Sequence, residues 1–334
     1  MAVIGNEEHK QRVNLSSFAR SVVEMDRSVF APEGTLSGFL NRIITAFRER
    51  ADASIDVAVE ERQADLRQNG YPEDMIGKLT EEYRRQLCQK KEAYPQGESV
   101  TFRLNNHNFC LLYEEQAEQN HYAAPSKYLK ALLEEYARLS PSERERVYYS
   151  QWIESLLEPA VEAGSLLAVK LSGRSFWVKP YAVMADPYNS HLYLVGMSRP
   201  QDGPSSESVI ASIRITRIED IRLRRHPSGK LTVDDRREIE QKLRQVGVQY
   251  LIGNQDEITL TLTEKGKREF LQRSYMRPVP DQIENGVYRF SCTRQQIRNY
   301  FISFGKEVQI LTPQDLHREF MEFYKEALER YHGE

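Results

Sequence analysis

Cysteine is scarce in this chain. Its 334 residues hold only Cys88, Cys110 and Cys292, odd in number and far apart. That spacing excludes a disulfide framework and a metal knuckle, and buried thiols are the expected state. No apolar run approaches the roughly 18 residues that a membrane helix needs, and no signal-peptide pattern opens the sequence. A soluble, cytoplasmic chain with no membrane partner is expected. The seven histidines, His9, His107, His121, His191, His226, His317 and His332, show no ligand spacing, so no metal site is expected. A glycine-rich phosphate loop and a nucleophile elbow are also missing. Neither an enzyme nor a bound cofactor is expected.

Large net charge is lacking as well, at −3 overall. The charge is unevenly placed. Residues 166–230 hold ten Lys/Arg against five Asp/Glu, the only clearly basic block, and this is where an anionic partner would be drawn. Residues 1–52 carry seven of each sign, and residues 99–165 carry six basic against ten acidic. The length predicts two or three domains.

What the sequence does have is a disguised repeat. Val13 recurs as Phe102, 89 positions later. At the same offset Leu15 meets Leu104, Val22 meets Leu111, Val23 meets Leu112, and Leu40, Ile43, Ile44 and Phe47 meet Leu129, Leu132, Leu133 and Tyr136. Apolar character is kept while identity is mostly lost, as in a diverged duplication. Each copy opens on an alternating stretch, the mark of a half-exposed strand. A helix with Phe18, Val22 and Val23 on one side follows, then a breaker at Pro32-Glu33-Gly34 or Ala124-Pro125. A second helix is predicted to start at Thr35 or Ser37 in the first copy and at Ser126 in the second.

Strand, helix, helix in about 40 residues resembles the ribbon-helix-helix unit of small DNA-binding repressors. One unit cannot bury its own apolar face, so two copies in one chain are expected to pair. The resemblance implies that outward ribbon residues touch bases, here Arg12, Asn14, Thr101 and Arg103. It also implies phosphate contacts at Gly34, Thr35 and Ser126. The same residues read equally well as a solvated polar ribbon, since neither copy has a strong basic footprint.

Between the copies, residues 52–98 read as an inserted helical hairpin, Asp52 to Gln68 and Glu73 to about Glu92, broken at Asn69-Gly70-Tyr71-Pro72. A helix is predicted from Ser140 to about Ala163, ended by Gly164. Short strands then follow at 166–170, 175–184, 192–197, 210–215 and 218–223, with a flexible loop over 200–208. Five short strands in some 60 residues suggest a small barrel.

The stretches Trp177-Val178-Lys179-Pro180-Tyr181-Ala182-Val183, Leu192-Tyr193-Leu194-Val195-Gly196-Met197-Ser198 and Ile213-Arg214-Ile215-Thr216-Arg217-Ile218 resemble the WYL domain, an Sm/SH3-like barrel. Its name-giving Trp is Leu192 here, and in the later motif Ala211 replaces an Arg and Thr216 an Asp. The resemblance implies a basic groove for nucleic acid, often single-stranded, lined by Tyr193, Arg214 and Arg217, with Ser198, Arg199 and Lys179 beside them. Arginine supplies forked hydrogen bonds and tyrosine a face for an unpaired base. The alternative is that Tyr193 belongs to the core and the arginines form surface ion pairs. Arg222, Arg224, Arg225 and Lys230 read as a solvated basic edge that could extend the path of a strand.

Residues 257–331 alternate strand and helix three times and resemble the α/β sandwich that extends WYL domains and often mediates dimerisation, which implies a homodimer. The expected organisation is an α+β multidomain chain: 1–140, a duplicated ribbon-helix-helix-like region with its insert; 141–230, a helix plus the WYL barrel; and 231–334, the extension. A ribbon-helix-helix unit joined to one WYL domain resembles the accessory proteins of type VI-D CRISPR effectors, which are RNA-guided RNases. This implies binding of single-stranded RNA and activation of such an effector. A second expectation is a transcriptional regulator that reads duplex DNA through its ribbon and senses a nucleic-acid or nucleotide ligand. A third is a scaffold whose barrel binds only proteins.

Overall fold

The computed structural model describes residues 9–95, 97–115, 122–201, 208–224, 229–251, 256–273 and 277–332. The chain divides into two compact units. One holds residues up to Leu156 together with Asn189–Leu192; the other holds Leu157–Tyr188 and everything from Tyr193 onward.

The first unit realises the repeat. Strand β1 (Lys10–Leu15) leads to helices α1 (Ser17–Phe30), α2 (Leu36–Gln68) and α3 (Glu73–Glu92). Strand β2 (Glu98–Arg103), α4 (Asn106–Cys110), a π turn, α5 (Pro125–Arg138), α6 (Pro141–Tyr148) and the short α7 (Ser150–Trp152) follow. The copies match element by element at the offset of 89: α1 begins at Ser17 and α4 at Asn106, α2 at Leu36 and α5 at Pro125. The caps match too. The Ser16 hydroxyl accepts from Ala19 N at 3.1 Å, and Asn105 Oδ1 accepts from Asn108 N at 2.8 Å.

Strands β1 and β2 pair antiparallel, with Arg12 opposite Thr101 and Lys10 opposite Arg103. Because Arg12 and Thr101 are themselves 89 apart, that pair marks the pseudo-two-fold centre of the ribbon. Phe47 and Tyr136 are repeat partners as well, and their rings meet edge to face at 6.2 Å. The second helices therefore pack about the same centre. Phe39, Leu40, Ile43, Ile44 and Phe47 of α2 and Leu129, Leu132, Leu133 and Tyr136 of α5 are all buried. Burying one such side chain contributes about 1.5–3 kcal/mol, which explains why apolar character outlived identity in the duplication.

Polar groups complete this core. Buried Glu134 accepts from Ser16 N at 2.6 Å and from its hydroxyl at 2.9 Å. Buried Asp26 accepts from Tyr136 Oη and from Arg144 Nε, both at 2.7 Å, tying together α1, α5 and α6. Glu145 of α6 accepts from Leu192 N at 2.6 Å and meets His191 Nδ1 at 2.8 Å, which explains why 189–192 belongs to this unit.

Three expectations change here. The first helix of the insert is not separate, because α2 runs 33 residues from Leu36 and nothing between Arg50 and Ser54 breaks it. Ser126 is not a cap; Ala124 holds the N-cap position of α5, with Pro125, preset for the first turn, behind it. The helix predicted over 140–163 is interrupted at Tyr149, where α6 ends, and by a π turn over Ile153–Leu157, after which Pro159 stands in the first turn of a new helix.

In the second unit α8 (Glu158–Ala163) ends at Gly164, whose φ of 61° is left-handed. Strands β3 (Leu166–Leu171), β4 (Arg174–Ala185), β5 (Leu192–Pro200), β6 (Val209–Arg214) and β7 (Asp220–Arg224) form one antiparallel sheet in the order β6-β5-β4-β3-β7. A closed barrel was expected; the sheet is open. A 3-10 turn over Ile215–Arg217 takes the chain out of extended geometry between β6 and β7, and these two strands remain its edges. Residues 202–207 of the predicted loop, and Arg225, lie outside the described residues.

After α9 (Val233–Val246) come β8 (Asp256–Leu262), α10 (Glu264–Gln272), β9 (Gln282–Glu284), β10 (Val287–Cys292), α11 (Arg294–Phe301), β11 (Val308–Thr312) and α12 (Gln314–His332). Their four-stranded sheet has the order β11-β8-β10-β9. It packs an aromatic core around Phe270, Phe290, Phe301 and Phe304. The expected alternation of strand and helix holds, with β9 added as a short hairpin partner. No helix of the described residues is long and apolar enough to cross a membrane.

Candidate nucleic-acid interface

Strand β5 brings Tyr193 directly opposite Arg214 of β6. Antiparallel partners lie on one face, so this tyrosine and arginine are side by side. The same face carries Val195 opposite Ser212 and Met197 opposite Ile210. It is covered by Ile239 of α9 and by Val248, Tyr250 and Leu251 of the segment after it. The Ser212 hydroxyl donates to Val248 O at 2.6 Å and fastens that cover. Tyr193 is therefore only 7% exposed and shares an apolar cluster, whereas Arg214 is half-buried at the strand end.

The remaining predicted residues spread from this pair. Arg217 is exposed in the 3-10 turn three residues beyond Arg214. Arg199 is half-buried near the end of β5 and alternates onto the face of Tyr193, while Ser198 is buried and alternates to the other face. Lys179 is half-buried on β4. Its carbonyl lies so close to Gly196 that a Cβ there would stand 2.2 Å from it, which is why β5 carries glycine at that point.

Next to Tyr193 in the cluster, Tyr181 reaches Glu240 Oε1 at 3.3 Å. Burial pushes its phenol above the ordinary range, and the Glu240 carboxylate adds to the shift. It is a neutral donor at any physiological pH.

The basic block resolves into paired and unpaired charge. Lys170 lies 3.6 Å from Glu219, and Arg222 lies 2.9 Å from Asp220. Both pairs are well exposed and worth little. Arg224 sits over the Trp177 ring, 5.9 Å from its centroid. Trp177 is not among the groove residues that the sequence points to. The period-two alternation of β4 was the available signal, because it sets Trp177 on the opposite face from buried Val178.

In the first unit, Arg12, Asn14, Thr101 and Arg103 are all exposed on the outer face of the ribbon. Arg12 Nε donates to Ser99 Oγ at 2.6 Å. Lys10 and Arg103, two cations, stand directly opposite each other. Neither they nor Arg12 form an ion pair among the described residues. Like charges facing across a strand pair are destabilising, so folding gives no reason for them. Thr35 accepts from Gly38 N at 3.1 Å as the cap of α2, which occupies its hydroxyl. Among the described residues no group of His, Cys, Asp and Glu is arranged to hold a metal ion.

No family model and no curated protein matches the sequence. Solved structures do. The fold is that of a structure described as a CRISPR Cas-related protein, with a TM-score of 0.73, 22% identity, and coverage of 97% of this chain and 94% of that one. The resemblance drawn from sequence, to CRISPR accessory proteins, agrees with this likeness. Proteasome accessory factor B/C of Arthrobacter aurescens aligns at a TM-score of 0.32 and 14% identity, over 96% of this chain and 50% of that one, too weak to carry an argument.

Proposed function

We propose that this chain is a nucleic-acid-binding regulatory protein, not an enzyme. In this reading the five-stranded sheet is an opened member of the Sm/SH3-like WYL class and binds single-stranded RNA. The protein then acts as an accessory activator of a type VI-D CRISPR RNA-guided RNase in the cytoplasm, as a homodimer through its carboxy-terminal module. One observation carries the reading: Arg214, at the end of β6, stands beside Tyr193 within the basic segment 166–230, in a chain whose whole fold matches a CRISPR Cas-related protein. Guanidinium groups at a strand end and a turn, Arg214 and Arg217, suit phosphates that follow an irregular single strand better than a rigid duplex.

The test is binding of a labelled single-stranded RNA by the chain and by Arg214→Ala and Arg217→Ala, over a range of salt. Each lost phosphate contact should weaken affinity and flatten the salt dependence by about 0.7 per contact. Target cleavage by the RNase, with and without the chain, tests activation. Unchanged affinity in the double variant would remove these arginines from the interface.

A second reading is favoured by one specific observation, the unneutralised Lys10, Arg12 and Arg103 on the outer ribbon. Here the ribbon-helix-helix-like unit reads duplex DNA as part of a transcriptional regulator, with Asn14 and Thr101 at base edges. A duplex selection that yields a consensus lost in Arg12→Ala supports it, and a selection without a consensus excludes it.

A further inference from the structure

The five-stranded sheet has two unlike faces at its β4-β3-β7 side. Leu167, Val169, Val178 and Ile221 alternate to one face and are buried. The other face carries Trp177 opposite Ala168, and Ala168 opposite Arg222, so these three form one transverse row. Lys170 lies in the next row, opposite Asp220. Arg224 lies in the row on the other side, opposite Leu166. The solvated face of an antiparallel sheet normally reads polar throughout. Here a half-exposed indole sits on β4, with three cations on its β3-β7 side, one in its own row and one in each adjacent row.

The details suit a ligand better than a fold. Ala168 offers only a methyl group beside the indole. Arg222 is 72% exposed in its side chain, and its pair with Asp220 is solvated. Arg224 has no carboxylate partner among the described residues and rests over the ring near the outer limit of a cation–π contact. This is an aromatic plane with loosely held positive charge around it. An unpaired nucleotide has a base that stacks on such a plane and a phosphate that replaces the weak surface pairs. A duplex hides its base faces and cannot use the plane.

We infer that Trp177, flanked by Arg222, Arg224 and Lys170, is a stacking site for an unpaired base. The inference rests on the reading that this sheet binds nucleic acid, and it moves the base contact from buried Tyr193 to the opposite end of β4.

The chain has two tryptophans, Trp152 and Trp177, so Trp152→Phe leaves Trp177 as the only indole reporter. The probe is a labelled oligouridylate of about 12 nucleotides. Trp177 emission should be quenched on titration, with the midpoint given by the anisotropy of the label. Trp177→Ala should bind about tenfold more weakly, while Trp177→Phe, which keeps an aromatic plane and the fold, should recover most of that loss. Arg224→Gln, an exposed change, should weaken binding without altering the melting temperature.

If anisotropy reports binding while Trp177 emission stays constant and all three variants bind as the parent does, the stacking site is wrong and the proposed function stands. Equal quenching by a blunt duplex would also overturn it. If the unaltered chain fails to bind the oligouridylate, both readings fall together.

Discussion

The ribbon of the first unit and the five-stranded sheet of the second both gather arginine and lysine, but they place different groups across from them. In the sheet, Lys170 and Arg222 have carboxylates near, and Arg224 has an indole. In the ribbon, Lys10 faces Arg103, and Arg12 faces Thr101. The sheet has balanced much of its charge and kept an aromatic plane. The ribbon has kept bare charge and has no aromatic residue on its outer face. Bare charge suits any polyanion, whereas charge beside a ring suits one with exposed bases.

The two regions also rest on different supports. The first unit, whose ribbon rests on buried Val13, Leu15, Val100 and Phe102, also buries polar contacts, with Asp26, Tyr136 and Arg144 in one cluster and Glu134 holding Ser16 in another. Beneath the sheet, Tyr193, Val195, Met197 and Ile239 form an apolar cluster. A polar support fails abruptly when one member is removed, because its partner is left charged in a low-dielectric interior. An apolar one fails by degrees.

That contrast gives the largest expected effect. Arg144→Met strands the Asp26 carboxylate and should cost about 3–5 kcal/mol, against about 0.5–1.5 kcal/mol for Ile239→Val in the sheet's cover. Urea midpoints of the two variants check this, and equal losses would erase the distinction. Next in size, Arg214→Ala with Arg217→Ala should reduce single-strand affinity by about 1.5–3 kcal/mol for each charged hydrogen bond lost, read by anisotropy.

A smaller effect sharpens the comparison because its two readouts move in opposite directions. Lys10→Glu places opposite charges across the ribbon and should stabilise the fold by about 0.2–1 kcal/mol, while weakening any polyanion bound there. A midpoint that falls would show that Lys10 already has a structural role.

The smallest concerns pH. Burial raises the Asp52 carboxyl above its ordinary range, and the hydrogen bond from Tyr128 offsets this only in part. The folded state therefore holds that proton more tightly than the unfolded chain does. The associated stability is full below the unfolded value near 4 and is lost as pH rises through the folded one. Asp52→Asn keeps an acceptor for Tyr128 and should melt slightly higher at pH 7, with the advantage vanishing below pH 4.

Much of the first unit was legible because a repeat states its own boundaries. The offset that pairs Val13 with Phe102 also pairs the first residues of α1 and α4 and those of α2 and α5. The strand positions of the sheet were legible from alternation and turn residues. Other features depend on things a linear pattern does not carry. Nothing local marks α2 as one 33-residue helix, since Asp52 is as good a start as it is a continuation. Closure of the sheet depends on whether its edge strands, β6 and β7, meet, which alternation within each strand does not state. Tyr193 could be read as groove or as core, because burial comes from α9, more than 40 residues away in sequence. Trp177 lay in view within the WYL-like stretch, yet its importance appears only when β3 and β7 bring Ala168 and Arg222 into its row.

The claim on which the account turns is that the basic sheet prefers unpaired nucleic acid. Competition at fixed salt between one labelled RNA strand and the blunt duplex formed with its complement tests it most directly. The account predicts that the unlabelled single strand displaces the label at least about tenfold more effectively than the duplex does. Equal displacement, or a duplex that competes better, would contradict it.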